Sequence, residues 1–290
     1  MTIRFSKMHG AGNDFVVVDC LSGAGGDPIE DLTAFARFAL DRRFGIGGDQ
    51  LLLVQPSTQA DFFMGIRNPD GSTAEMCANG IRAFARYVRE RGLTSKDRLR
   101  VETLAGIVTP RLLGDGRVEV EMTVPVLEPA RIPTKLEGEG PLVEVPLEVD
   151  GRVLRVTTVS MGNPHCVIFV DDPASEPVET LGPKIENHPV FPRRTNVEFV
   201  AVRSRRKLEQ RTWERGTGET LACGSGACAV IVAAVLAGRA DRELEIQLRG
   251  GTLEMRWPDP AGPVWMTGPA EHVFDGELDA KALEARGANR

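Results

Sequence analysis

Two apolar segments of the chain follow the same kind of turn. After Cys77 the apolar residues Ile81, Phe84, Ala85 and Val88 recur with arginines between them, which predicts a helix with one buried face. From Ala227 to Ala237 nearly every position is apolar, which predicts a helix buried on all sides. A third helix is expected over 29–40, with apolar residues at 32, 35, 36, 39 and 40. A helical turn is expected near 179–186 and a short helix from Leu278. Runs rich in β-branched residues predict strands at 3–9, 15–19, 51–54, 61–67, 99–103, 106–112 and 118–122. A second series is expected at 153–160, 166–170, 197–202, 207–213, 244–248, 252–257 and 263–267. Residues 22–28 read as a loop, and Gly114-Asp115-Gly116 as a hairpin turn.

Strands in runs with one central helix per half point to the α+β class. The expected architecture is two pseudo-symmetric domains, each a mostly antiparallel sheet wrapped around its helix. The first covers 1–124 and carries Cys77, joined by the returning segment 269–290; the second covers 125–268 and carries Cys223. A stretch rich in proline and glycine, 124–140, is the expected crossover.

The halves share more than a helix. Asn13, in Gly12-Asn13-Asp14-Phe15, precedes Cys77 by 64 residues; Asn163, in Gly162-Asn163-Pro164-His165, precedes Cys223 by 60. Asn68 and Glu214 each lie nine residues before their cysteine, in polar turns. Both thiols would therefore stand at helix N-termini, where unpaired N–H groups and the helix dipole favour an anion. Such a position is expected to lower a thiol pKa from about 8.5 towards neutrality, and its amides suit a carboxylate. Two halves facing each other would bring one thiol to each face of a carbon centre, the arrangement that inverts it by removing a proton on one side and delivering one on the other. For either motif alone, a buried cysteine used as a small hydrophobe is the alternative. The glycines of Phe44-Gly45-Ile46-Gly47-Gly48-Asp49-Gln50 lack the order of a nucleotide loop. They read as a tight turn or as close backbone approach to a ligand with Gln50 pointing in.

Composition narrows the function further. The 290 residues are 42% hydrophobic and 26% charged, with a formal charge of −6. Nothing resembles a basic stripe for nucleic acid; the densest basic run, Arg203 to Lys207, reads as a solvated turn. With no apolar signal core at the N-terminus and no run of membrane-spanning length, a cytoplasmic protein without a membrane partner is expected. Five cysteines in such a chain are not a disulfide framework, and Cys20, Cys166 and Cys228 read as packing. The scattered histidines His9, His165, His188 and His272 give no metal pattern, and no lysine setting implies pyridoxal phosphate.

Five motifs in order carry a family resemblance. They are 5–15 (Phe5-Ser6-Lys7-Met8-His9 into Gly10-Ala11-Gly12-Asn13-Asp14-Phe15), Arg67-Asn68-Pro69-Asp70-Gly71-Ser72 with Met76-Cys77, Gly162-Asn163-Pro164-His165, Arg194-Thr195-Asn196-Val197, and Trp213-Glu214-Arg215-Gly216 running to Ala222-Cys223-Gly224-Ser225-Gly226. The whole chain resembles the diaminopimelate epimerases, cofactor-independent enzymes that interconvert LL- and meso-diaminopimelate on the way to lysine and peptidoglycan. The resemblance implies Cys77 and Cys223 as the acid/base pair, with Cys223 taking the proton from the LL isomer. It implies that Ala78, Asn79, Gly224 and Ser225 hold the reacting carboxylate. Asn13, Gln50, Asn68, Asn163, Asn196, Glu214 and Arg215 match positions that hold the rest of the substrate. For any one of these asparagines, a turn residue closing its own backbone is the competing reading. Arg215 suits the distal carboxylate and Glu214 the ammonium groups. Glu214 and His165 are the groups expected to tune the thiols, a satisfied core histidine being the other reading of His165.

Two departures stand out. Ala78 replaces the usual glycine after the first cysteine, and it keeps the backbone amide provided its φ is negative. Phe274 replaces a tyrosine of the family's dimer contact, so the homodimer the resemblance implies would lose a phenolic hydrogen bond. Two rivals remain. One is a proline-type racemase or epimerase on the same fold, against which Asn79 speaks; a phenazine-type isomerase has no cysteine pair. The other is a redox-switch or metal-binding protein using the two thiols.

Overall fold

The computed structural model describes residues 2–21 and 29–279; the expected loop at 22–28 lies outside them. Two compact units divide the chain: Met1–Val120 with Pro269–Arg290, and Glu121–Gly268. In chain order the first unit holds β1 (Thr2–Gly10), β2 (Asn13–Asp19), α1 (Leu32–Ala39), β3 (Gln50–Gln55), β4 (Phe62–Arg67) and α2 (Ala78–Glu90). The short strands β5 (Val101–Thr103), β6 (Gly106–Val108), β7 (Arg111–Leu112) and β8 (Val118–Glu121) follow. The second unit holds β9 (Val145–Val149), β10 (Arg152–Ser160), β11 (Pro164–Phe169), α3 (Val178–Glu186), β12 (Asn196–Ser204) and β13 (Lys207–Glu214). It continues with β14 (Gly218–Thr220), α4 (Gly224–Leu236), β15 (Glu243–Leu248), β16 (Gly251–Arg256) and β17 (Trp265–Gly268). The last described strand, β18 (Glu271–Asp279), belongs to the first unit.

The sheet of the first unit runs β18-β1-β2-β3-β4-β5-β6. Its strands pair antiparallel except β2 with β3 and β4 with β5. The β1–β2 hairpin turns through Ala11 (φ 53°) and Gly12 (φ 83°), both left-handed, as a two-residue hairpin loop requires. That turn makes Asn13 the first residue of β2. Strand alternation then sorts side chains to two faces. Ile3, Phe5, Val16, Val18, Leu51 and Leu53 form one cluster with Phe35, Ala36 and Ala39 of α1. The opposite residues Met8, Phe15, Val17 and Leu52 are fully buried on the side taken by α2, whose Ile81, Phe84, Ala85 and Val88 are likewise fully buried. Helix α1 starts later than the apolar pattern predicts, because the Asp31 carboxylate accepts hydrogen bonds from the Thr33 and Ala34 amides and caps the helix there.

The sheet of the second unit runs β17-β16-β15-β13-β12-β11-β10-β9, with β14 also on β13. Here β11 with β12 and β13 with β15 are the parallel pairs. One face, with Cys166, Ile168, Val197 and Phe199, packs on Val178, Leu181 and Ile185 of α3. The other carries α4, every residue of which from Gly226 to Ala234 is buried. The expected basic turn is confirmed as the exposed β12–β13 connection around Arg205 and Arg206.

Two expected elements differ in the described residues. Leu278 lies in β18, not in a helix; its partner is Ile3 across the β1–β18 ladder, and it packs against the α1 side of the core. Residues beyond 279 lie outside the described part. The expected single strand over 106–112 is two strands, β6 and β7, separated at Thr109-Pro110, where proline has no N–H to give a ladder.

Candidate active site

Cys77 is the N-cap of α2. Its backbone is extended (φ −137°, ψ 117°), and its Sγ accepts from the Gly80 amide at 3.3 Å. A side chain at Gly80 would crowd Cys77 Cβ at 3.1 Å, so glycine lets the helix start close under the sulfur. Asn13, delivered by the hairpin turn, places Oδ1 3.7 Å from Cys77 Sγ. Its Nδ2 donates to Asp49 Oδ2 at 2.7 Å, which settles which end of the amide faces the sulfur. Asp49 is itself held by Arg42, which also binds Asp14. Burial alone would raise the Asp14 carboxyl; hydrogen bonds from Arg42 and Lys7 overcome it and hold it well below the carboxylate range. Next along the chain, Gln50 Nε2 donates to Asn68 Oδ1 at 3.0 Å, and Asn68 Nδ2 to Ser72 Oγ at 3.0 Å. Gln50 Oε1 is buried without a protein partner.

Ala78 is the first residue of α2 and is not among the positive-φ residues, so alanine presents its amide as glycine would. The buried Asn79 accepts from Arg82 Nη2 at 2.8 Å, and Arg82 also donates to the carbonyls of Ala78 and Pro269. What Asn79 can offer a ligand is thus its backbone at the helix start rather than its side-chain oxygen.

Cys223 repeats the geometry in the second unit. It is the N-cap of α4 (φ −119°, ψ 112°), and its Sγ accepts from the Gly226 amide at 3.4 Å. Ser225 Oγ lies 3.5 Å from the sulfur and accepts from Asn163 Nδ2 at 3.4 Å. Behind Asn163, its Oδ1 meets His165 Nε2 at 3.0 Å, and His165 Nδ1 meets Glu198 Oε1 at 2.7 Å. The expectation of a lowered thiol pKa is overturned here: burial pushes the Cys223 thiol well up, the nearby charges of Glu214 and Glu198 push the same way, and the bonds from Ser225 and Gly226 do not compensate. A buried site with two carboxylates outweighs one helix N-terminus.

Glu214 ends β13. Burial raises its carboxyl, against hydrogen bonds from the Thr220 hydroxyl (2.6 Å) and from Cys223. The turn after it is braced by the buried Glu186 of α3, whose carboxylate accepts from the Gly216 amide at 2.9 Å, Trp213 Nε1 at 2.7 Å and Arg194 at 3.1 Å. Asn196 is buried and occupied at both ends: Nδ2 donates to the Pro164 carbonyl and Oδ1 accepts from the Arg215 amide. Its part is to fix the backbone at Arg215, whose guanidinium donates to the Arg193 carbonyl at 3.0 Å. Phe274 sits on the edge strand β18, 46% exposed, edge-on to Phe5 at 6.1 Å between ring centroids.

The structure thus gathers Cys77, Ala78, Asn79, Asn13, Gln50 and Asn68 in one unit, and Cys223, Gly224, Ser225, Asn163, His165, Asn196, Glu214 and Arg215 in the other. Sequence reasoning missed Asp49 and Glu198. Asp49 had a signal in its place beside Gln50. Glu198 had one in the strand Val197-Glu198-Phe199-Val200-Ala201, a charge inside an otherwise apolar run, and the structure buries it completely.

The sequence profile of the family described as diaminopimelate epimerase matches residues 5–128 and 157–273. A diaminopimelate epimerase of Moorella thermoacetica is 52% identical over 281 residues, 95% of this chain and 99% of the relative. One of Acetivibrio thermocellus is 49% identical over 97% of this chain and the whole of the relative. Among solved structures, a phenazine biosynthesis protein of the PhzF family from Bacillus anthracis superposes with a TM-score of 0.68 at 19% identity, covering 96% and 99% of the two chains. A probable proline racemase from Agrobacterium radiobacter gives 0.68 at 15% identity, covering 96% and 93%. At these identities the superpositions speak for the fold, an α+β architecture of two pseudo-symmetric domains. With its profile match over most of the chain and relatives near half identical along their full length, this chain is a member of the diaminopimelate epimerase family.

Proposed function

We propose that this chain interconverts LL- and meso-diaminopimelate without a cofactor, using Cys77 and Cys223 as acid and base, as a cytoplasmic homodimer in the supply of lysine and peptidoglycan precursors. The observation that carries the reading is the pair of N-capping cysteines, one per unit, each bonded to the third amide of its helix, with Asn13 at the Cys77 sulfur and Asn163 bonded to Ser225 beside Cys223. An amino-acid α-proton is weakly acidic, so its removal needs a strong base and stabilisation of charge on the adjacent carboxylate. A thiol pushed up by burial is a stronger base once ionised. The opening amides of α2 and α4, at Ala78, Asn79, Gly224 and Ser225, supply the donors for that carboxylate. Glu214 would neutralise an ammonium, and Arg215 would meet the distal carboxylate. The exposed edge strand β18, with Phe274, is the face assigned to the second subunit.

The mechanism requires both sulfurs to reach one α-carbon from opposite sides, and isotope exchange tests it. Incubated with LL-diaminopimelate in deuterated water and no added cofactor, the protein is expected to yield meso product carrying deuterium at the inverted carbon. Cys77→Ala and Cys223→Ala should each lose at least about 100-fold in turnover, the scale of one acid/base group. Full turnover in either variant sinks the two-thiol reading.

A further inference from the structure

Beneath Cys223 lies a polar chain whose buried far end, Glu198, the two-thiol scheme leaves unused. Glu198 on β12 and His165 on β11 are both fully buried, 2.7 Å apart between Oε1 and Nδ1. The other ring nitrogen, Nε2, faces Asn163 Oδ1 at 3.0 Å. The amide then turns its NH2 to Ser225 Oγ at 3.4 Å, and Ser225 Oγ stands 3.5 Å from Cys223 Sγ. Each ring nitrogen therefore faces an oxygen, a carboxylate at Nδ1 and a side-chain amide at Nε2. The serine oxygen already accepts from Asn163, so its own hydrogen is free to point at the sulfur.

Three observations separate Glu198 from a packing residue. Its Oε2 is buried with no protein hydrogen-bond partner, a costly placement that an apolar side chain would avoid. The third residue of α4 leaves it room: a Cβ at Gly226 would come within 2.8 Å of Glu198 Oε1, so a larger residue there would push the carboxylate out of place. Its immediate neighbours along the strand, Val197 and Phe199 to Val202, are apolar.

We propose that Glu198 is a positioning residue: it holds His165 doubly protonated, which fixes the Asn163 amide and turns the Ser225 hydroxyl to donate to the Cys223 sulfur, favouring that cysteine as the thiolate of the pair. The first unit has the opposite polarity. There Asp49 takes the NH2 of Asn13, so an amide oxygen, an acceptor that suits a thiol, faces Cys77. One sulfur is thus offered a donor and the other an acceptor, so that when one of the two ionises as pH rises it is Cys223. The titratable groups around the ring are Glu198 on β12, Glu214 at the end of β13, Cys223 ahead of α4 and Cys166 beside it on β11.

The proposal deepens the epimerase reading and rests on it for its kinetic arm only. Nitrogen NMR of the wild-type protein labelled at histidine reads the ring directly, with the His165 signals identified by their loss in His165→Gln. Two protonated ring nitrogens at neutral pH are expected; one bare nitrogen overturns the proposal. In Glu198→Gln, similar in shape but uncharged, one nitrogen should lose its proton, kcat should fall about tenfold to 100-fold while KM holds within about twofold, and the acid limb of the rate profile should move to higher pH. The sign of that last shift is decisive. The Glu198 charge acting through space alone raises the thiol, so its removal would then move the limb to lower pH. A limb that moves down or stays put, or a ring unchanged by Glu198→Gln, overturns the proposal. If Glu198→Gln does not fold, the wild-type spectrum still decides. A doubly protonated ring in a protein that does not turn over diaminopimelate would sink the functional reading and leave this one standing.

Discussion

At Cys223 three influences compete. Burial dominates and raises the thiol, the charge of Glu214 adds to it, and hydrogen bonds from Ser225 and the Gly226 amide oppose both. A raised thiol is protonated at neutral pH and becomes a base only as pH climbs. kcat/KM is therefore expected to rise with pH on the alkaline side of neutrality. Glu214→Gln removes one of the charges that keeps the proton on sulfur, so its acid limb should lie at lower pH than the wild type's, even as substrate binding weakens. A pH series of initial rates checks this, and the direction is opposite to that expected for Glu198→Gln. The two cysteines were legible in the sequence because each precedes a turn of small residues that runs into an apolar helical pattern. The polar residues behind them were not. Asp49 and Glu198 reach their partners at separations of 36 and 33 residues, and no local pattern reports which carboxylate a distant asparagine or histidine will meet.

At the scale of elements, α3 acts as a brace for the turn at Glu214. Gly182, in the middle of α3, lies against the Trp213 ring; a Cβ there would sit 2.5 Å from its nearest ring atom. Helix propensity favours alanine over glycine by about 1 kcal/mol in a helix interior. Contact reverses the sign: forcing a methyl against the indole should cost about 1–3 kcal/mol as overpacking. Gly182→Ala is expected to lower the thermal midpoint, and to disturb KM as well because Trp213 and Glu186 locate the Glu214 turn. A midpoint that rises would show the indole free to move aside. Most elements were readable from apolar periodicity, the helices after both cysteines most clearly. Strands β9 and β14 were not. β14 is three residues long, and β9 sits in a sequence broken by prolines; each becomes a strand only because β10 or β13 offers it a partner.

For the molecule as a whole, the fastening of β18 onto β1 involves residues at opposite ends of the sequence. Asp275 accepts from Ser6 Oγ at 2.7 Å, from His272 and from Arg91. Burial would raise its carboxyl, but these bonds prevail and hold it at about 2. A carboxyl depressed in the folded state stabilises it fully above the unfolded pKa of about 4 and loses that contribution as pH falls through the folded value. Wild type and Asp275→Asn should therefore differ in urea midpoint near neutrality and converge as pH drops from about 4 towards 2. A gap that is constant across that window would show the contribution to be steric rather than electrostatic.

The ladder from Thr2↔Asp279 to His9↔Glu271 also sets an order of events at the ribosome. Chains emerge N-terminus first, and domains generally fold as they appear. The unit that begins first here is finished last: β1 waits as an open edge while the whole of 121–268 is made, and only then does its neighbour arrive. Nascent chains of this protein thus carry one open strand edge, on the side of β1 away from β2, through most of their synthesis.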